Sequence, residues 1–151
     1  MRFVRLTLWT CLLALCAAPR AQALGTCTIS STALSFGNYN VFAAAPLDSA
    51  GVINFDCTLN MNPGISISAG NGASYNPRLM SSGANQLSYN VYFDAARTRI
   101  WDGTPIQVPN TGCTGQCQGS GTNVSFYGRI FAQQDAAVGV YSDQLVVTIN
   151  F

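Results

Sequence analysis

Apolar residues recur at every second position through most of the chain. In residues 51–59, Ile53, Phe55, Cys57 and Leu59 fall on one face, with Asn54, Asp56 and Thr58 on the other. Ile65, Ile67 and Ala69 alternate with serines, and Leu87, Tyr89, Val91 and Phe93 alternate with Ser88, Asn90 and Asp94 among their neighbours. Val124 and Phe126 open a further segment running through Gly128 to Phe131, and Leu145, Val147, Ile149 and Phe151 alternate to the last residue. A period of two puts each apolar row on one side of a pleated strand. Between the rows lie turn signals: Asn62-Pro63-Gly64, Asn71-Gly72, Ser82-Gly83, Asp102-Gly103 and the glycine-rich residues 112–121. A helical period is absent; residues 132–137 are expected to make one helical turn at most. Short alternating strands separated by such turns predict an all-β antiparallel sandwich, its core formed by two inward apolar faces.

The first residues stand apart. Arg2 and Arg5 precede an apolar run from Leu6 to Ala18, and Ala21-Gln22-Ala23 fits the small-x-small rule of signal peptidase. The run is too short to span a bilayer. The organisation expected is a signal peptide at 1–23 and one β-domain at 24–151, with no membrane span after processing. That domain holds four arginines against six aspartates, a formal charge of −2, and the chain has no Lys, Glu or His. Without a basic stripe to neutralise phosphates, nucleic acid is not an expected partner. A nucleophile would lack a histidine or lysine base, and Asp94 and Asp102 are expected to be solvated beside Arg97 and Arg99, so no catalytic residues and no cofactor are assigned. Arg78 and Arg129 are expected to pair with carboxylates or cap carbonyls.

Four cysteines follow the signal: Cys27, Cys57, Cys113 and Cys117. An even count in an exported chain points to disulfides, and the rival reading, zinc at Cys113-x-x-x-Cys117, lacks any histidine; no metal is expected. Spacing leaves three connectivities open. The pairing carried forward is Cys27–Cys57 and Cys113–Cys117, the first closing a loop of about 30 residues.

A set of short motifs then becomes recognisable. Phe36-Gly37-Asn38-Tyr39 and Asp48-Ser49-Ala50-Gly51 lead to Cys57-Thr58; Arg78-Leu79-Met80, residues 87–92 with Asp94, and Trp101-Asp102-Gly103-Thr104 follow. Gly128-Arg129-Ile130, Gln133-Gln134 and Gly139-Val140-Tyr141-Ser142-Asp143 precede the terminal strand. In this order the sequence resembles the spore coat U domain family, whose Gram-negative members include subunits of archaic chaperone–usher pili. The resemblance implies an immunoglobulin-like sandwich that lacks its final strand, completed first by a periplasmic chaperone and then by a neighbouring pilin subunit, with assembly at an outer-membrane usher. It implies export to the periplasm and then the cell surface or an extracellular pilus.

The alternating strand that ends the sequence agrees with this, since an uncovered edge and groove invite a strand from another chain. Leu145, Val147, Ile149 and Phe151 are the expected groove residues. Only Leu24, Gly25 and Thr26 lie between the signal and Cys27, too few to form a donor strand, so an accepting subunit at the tip of an assembly is expected. The alternative is a stand-alone secreted adhesin or carbohydrate-binding module, with Trp101, Tyr92 and Tyr127 as stacking surfaces. Core or sheet packing is the plainer fate for these three rings.

Overall fold

The longest alternating row becomes the central strand pair of the molecule. The computed structural model describes residues 26–58, 62–108 and 121–150. Among them run β1 (Cys27–Ser31), β2 (Leu47–Cys57), β3 (Gly64–Ile67), β4 (Arg78–Ser82), β5 (Asn85–Tyr92), β6 (Ile106–Gln107), β7 (Thr122–Ile130) and β8 (Val147–Asn150). A five-stranded sheet has the order β1-β2-β7-β5-β4 and a three-stranded sheet the order β6-β3-β8. Every named strand pair is antiparallel, and no described residue is helical.

The core is the set of inward rows. Ile53, Phe55 and Cys57 from β2, Leu87, Tyr89 and Val91 from β5, and Phe126 and Ile130 from β7 face Ile65 and Ile67 from β3, all buried. Each fully buried Ile or Phe contributes about 1.5–3 kcal/mol relative to exposure. One inward position of β7 is Gly128, where a Cβ would come within 2.6 Å of the Phe36 ring. The missing side chain lets the Phe36 ring lie against β7, and Phe36 meets Tyr89 edge-on with centroids 6.2 Å apart.

Three strands differ from the pattern. β2 starts at Leu47, before the apolar alternation becomes regular, because its first residues pair with β7 from Leu47↔Ile130 onward. β1 carries Thr28, Ser30 and Ser31 at an edge, so no apolar row announces it. β6 is two residues long. The helical turn expected at 132–137 is instead a tight turn with Gln133 at φ 56°. The Tyr39 hydroxyl donates to the Phe131 carbonyl (2.9 Å) and accepts from the Gln134 amide (2.8 Å). The Gln134 side chain accepts from the Ser88 N–H and donates to the Ser88 carbonyl, each at 2.8 Å. These bonds continue the edge of β5 beyond the end of β7 and leave residues 132–137 no helical ladder to close.

Cys27 and Cys57 are direct partners across β1 and β2 and form a disulfide, with Cα atoms 4.1 Å apart. The adjacent pair is hydrogen-bonded through the Thr58 N–H to the Thr26 carbonyl at 2.9 Å. The cysteines therefore sit at the unbonded position of the ladder, where opposing side chains approach most closely. Cys113 and Cys117 lie outside the described residues. The bridge joins residues 30 apart. Replacing both Cys27 and Cys57 by Ala is expected to lower unfolding free energy by about 3–4 kcal/mol in urea titrations under oxidising conditions. A loss below about 1 kcal/mol would show that β1 is held by its ladder alone.

Candidate functional site

Among the described residues β8 pairs with one strand. It pairs with β3 through Gly64↔Asn150, Ile65↔Ile149, Ser66↔Thr148 and Ile67↔Val147, and the Ser68 N–H donates to the Val146 carbonyl at 2.9 Å. Partners in an antiparallel ladder alternate between bonded and unbonded pairs. Since Ser68–Val146 is a bonded pair, Thr148 and Asn150 are the residues that exchange bonds with β3. Val147 and Ile149 then turn their N–H and C=O groups to the opposite edge, where no described residue forms a strand pair. Side chains follow the same parity. Leu145, Val147 and Ile149 pack against the core yet remain half-buried, while Val146, Thr148 and Asn150 are exposed. One set of residues thus supplies an incompletely covered apolar floor and the unpaired backbone beside it. Phe151, the fourth residue of the row, lies outside the described residues.

A polar cluster fixes the chain ahead of this edge. The Arg78 side chain is fully buried and has no carboxylate within ion-pair distance among the described residues. It donates to the Ser68 carbonyl through Nε (3.2 Å) and Nη2 (3.1 Å), to the Trp101 carbonyl (2.6 Å) and to the Tyr75 carbonyl (3.4 Å). Its guanidinium carbon also lies 5.1 Å from the Tyr75 ring centre. Burial pulls its pKa below the ordinary arginine value, and the carbonyl dipoles and ring face offset the cost of the buried charge. Ser68, so held, binds Val146 twice, its hydroxyl accepting from the Val146 N–H at 2.9 Å.

Asp143 forms the second attachment. It accepts from the Tyr89 hydroxyl (2.6 Å), the Asn71 N–H (2.7 Å) and the Gln144 N–H (2.8 Å). Burial first, then Asp143, pushes the Tyr89 hydroxyl pKa well up, so this phenol stays a donor. Gly70 sits beneath the carboxylate at φ +79°, where any Cβ would run into Asp143. Ser142 exchanges two backbone bonds with Ser81 at the edge of β4. The sequence motifs contain Arg78 and Asp143, but nothing in the sequence alone joins them to Ser68 or Gly70.

The other candidate residues are structural. Trp101 is 1% exposed and Tyr92 6%, leaving neither ring face free to stack on a ligand. Tyr127 is half-buried with Arg97 over its ring at 5.6 Å. Asp94 and Asp102, expected beside Arg97 and Arg99, form no ion pair with either among the described residues. Asp94 accepts from the Thr98 amide and hydroxyl and the Arg99 amide, organising a loop in which Arg97 adopts φ 57°. Hydrogen bonds from Thr98 to Asp94 and from Thr104 to Asp102 hold both carboxyls below the usual range. That is opposite to the raised value of a catalytic acid. Arg97 instead meets Asp48 at 3.4 Å, and Arg129 grips both Asp48 oxygens at 2.7 and 2.9 Å across β2 and β7.

Two antiparallel sheets packed in this way define an immunoglobulin-like sandwich. The fold is similar to a chain of the CsuC–CsuE chaperone–tip adhesion subunit pre-assembly complex from archaic chaperone–usher Csu pili of Acinetobacter baumannii, with a TM-score of 0.58 and 23% identity. That likeness covers 85% of this chain and spans 40% of the neighbour's length. Residues 12–148 match the Spore Coat Protein U domain. Protein U of Myxococcus xanthus is 31% identical over 144 residues, 84% of this chain and 78% of that protein. The chain belongs to the Spore Coat Protein U domain family.

The Asp48 pair gives a pH test of the sheet. Arg129 holds the Asp48 carboxyl below its ordinary value, so its contribution is present above the unfolded pKa and fades as pH falls through the lower folded one. Asp48→Asn is expected to lower the urea midpoint near neutral pH, with the difference from the unaltered protein narrowing as pH falls below the ordinary carboxylate range. A difference that persists unchanged into acid would contradict the assignment.

Proposed function

We propose that the protein is an exported structural subunit of a surface pilus or coat that accepts a β-strand from another chain along the outer edge of β8. The observation that carries this is the coincidence, in Val147 and Ile149, of half-buried inward side chains with backbone groups aimed away from β3. An added strand would close the ladder and cover the apolar floor in one step, with backbone bonds giving affinity and alternate side chains giving selectivity. Family membership supports the coat or pilus assignment, and the neighbour's origin in a chaperone–subunit complex supports the choice of partners. The first partner is a periplasmic chaperone and the second a neighbouring subunit delivered at an outer-membrane usher. The route begins with the signal at 1–23, passes through the periplasm and ends at the cell surface or in a pilus. A tip position completes the proposal, since residues 24–26 offer no alternating apolar row ahead of Cys27.

The alternative of a sugar-stacking module loses its main support with the burial of Trp101 and Tyr92. Its remaining ring, Tyr127, is already occupied by Arg97.

Co-expression with the cognate periplasmic chaperone tests the proposal. Val147→Asp and Ile149→Asp place a carboxylate where an added strand would seal it, at a cost of several kcal/mol. Both are expected to abolish a soluble 1:1 complex and periplasmic accumulation, whereas Thr148→Asp, on the exposed face, leaves both near normal. Equal tolerance at all three positions would rule out an acceptor edge at β8.

A further inference from the structure

The geometry points to Arg78 and Asp143 as positioning residues that hold the open edge of β8 in readiness for its partner, an inference that rests on the acceptor reading above. Among the described residues β8 itself is paired with β3 alone, in a sheet distinct from the one that carries β4 and β5. Beyond the packing of its inward side chains on the core, its hydrogen-bonded attachment to the larger sheet lies in the residues just before it. From β4, the buried Arg78 guanidinium places two N–H groups on the Ser68 carbonyl. Ser68 uses its remaining groups, N–H and hydroxyl, to bind the carbonyl and N–H of Val146. From β5, the Tyr89 hydroxyl holds Asp143, whose other oxygen takes the amides of Asn71 and Gln144. Ser142 is bonded to Ser81 on both sides.

The parity of β8 follows from these attachments. A shift of one residue between Ser68 and Val146 would exchange the two faces of the strand, sending Val147 and Ile149 outward and Thr148 inward. Apolar packing of the half-buried Leu145, Val147 and Ile149 on the core opposes such a slip, and the polar attachments add to it. Arg78 suits this position because its planar fork reaches three carbonyls on separate segments, which a lysine's single ammonium on a flexible stem would not do as well. Asp143 suits its position because two oxygens can take three donors, and Gly70 leaves room for them. Both residues lie outside β8. Their effect is on the register and order of the edge before binding.

The test compares Asp143→Ala, Asp143→Asn and Tyr89→Phe with Asp94→Ala, whose carboxylate is equally bonded in a loop with no bond to β8 or its preceding segment. Two readouts are taken on the full mature protein: amide hydrogen exchange at Ser68 and Thr148, and affinity for a synthetic peptide carrying apolar residues at alternate positions. Asp143→Ala is expected to speed exchange at both amides and weaken peptide binding about tenfold. Asp143→Asn, which retains an accepting oxygen and the shape of the group, is expected to stay within about threefold of the unaltered protein. Tyr89→Phe falls between them and serves if Asp143→Ala does not fold. Asp94→Ala is expected to leave both readouts unchanged whatever it costs in overall stability. Equal effects of Asp143→Ala and Asp94→Ala, or unchanged exchange in Asp143→Ala and Tyr89→Phe, would overturn the positioning role. If the unaltered protein binds no strand peptide, the acceptor reading fails and with it the role of these residues in binding. Exchange at Ser68 and Thr148 then still decides whether the polar attachments fix the register of β8.

Discussion

A β-strand with a single neighbour satisfies only half of its backbone, and β8 is such a strand among the described residues. Its ladder with β3 consumes the groups of Thr148 and Asn150 and leaves those of Val147 and Ile149 facing outward. Because side-chain direction and hydrogen-bond direction alternate together, the unpaired groups belong to the residues whose side chains form the floor of the core. Water can satisfy the backbone of such an edge, but it leaves the apolar floor half-covered. A strand from another chain would satisfy both, which is the physical basis for proposing the edge as a place of assembly.

The remainder of the sandwich keeps this edge in a fixed place. The five-stranded sheet is tied at its β1 end by the Cys27–Cys57 bridge and across β2 and β7 by the two-pronged grip of Arg129 on Asp48. At its other side β4 and β5 send Arg78 and Tyr89 toward the chain that leads into β8. A buried guanidinium with carbonyl partners, and no carboxylate within ion-pair distance among the described residues, is an expensive way to hold a chain, and its removal would leave the Ser68 and Trp101 carbonyls without these donors. It gains in direction what an apolar contact would lack: three acceptors at defined angles specify where Ser68 lies, and Ser68 specifies Val146.

Much of the sheet arrangement was legible in the sequence because it depends on parity. Ile53, Phe55 and Cys57, or Leu87, Tyr89 and Val91, announce an inward row wherever one sheet face is buried. The same logic placed Leu145, Val147 and Ile149 on one face and put Cys57 with the core. Parity fails where polar bonds replace apolar rows. β1 is mostly Ser and Thr, residues 132–137 are shaped by Tyr39 some ninety positions earlier, and the partners of Asp94 are local amides and a hydroxyl rather than nearby arginines. Arg78 and Asp143 were visible as motif residues, yet their meaning resides in carbonyls and amides that every residue possesses and no side-chain pattern marks.

The central claim is that Val147 and Ile149 present open backbone groups that a partner strand closes. Residue-resolved amide exchange of the protein, free and with the proposed chaperone bound, measures this directly. The account predicts fast exchange at Val147 and Ile149 and protection at Thr148 in the free protein, with the first two becoming protected in the complex while Thr148 changes little. Protection at Val147 and Ile149 in the free protein, or no change at either on binding, would contradict it.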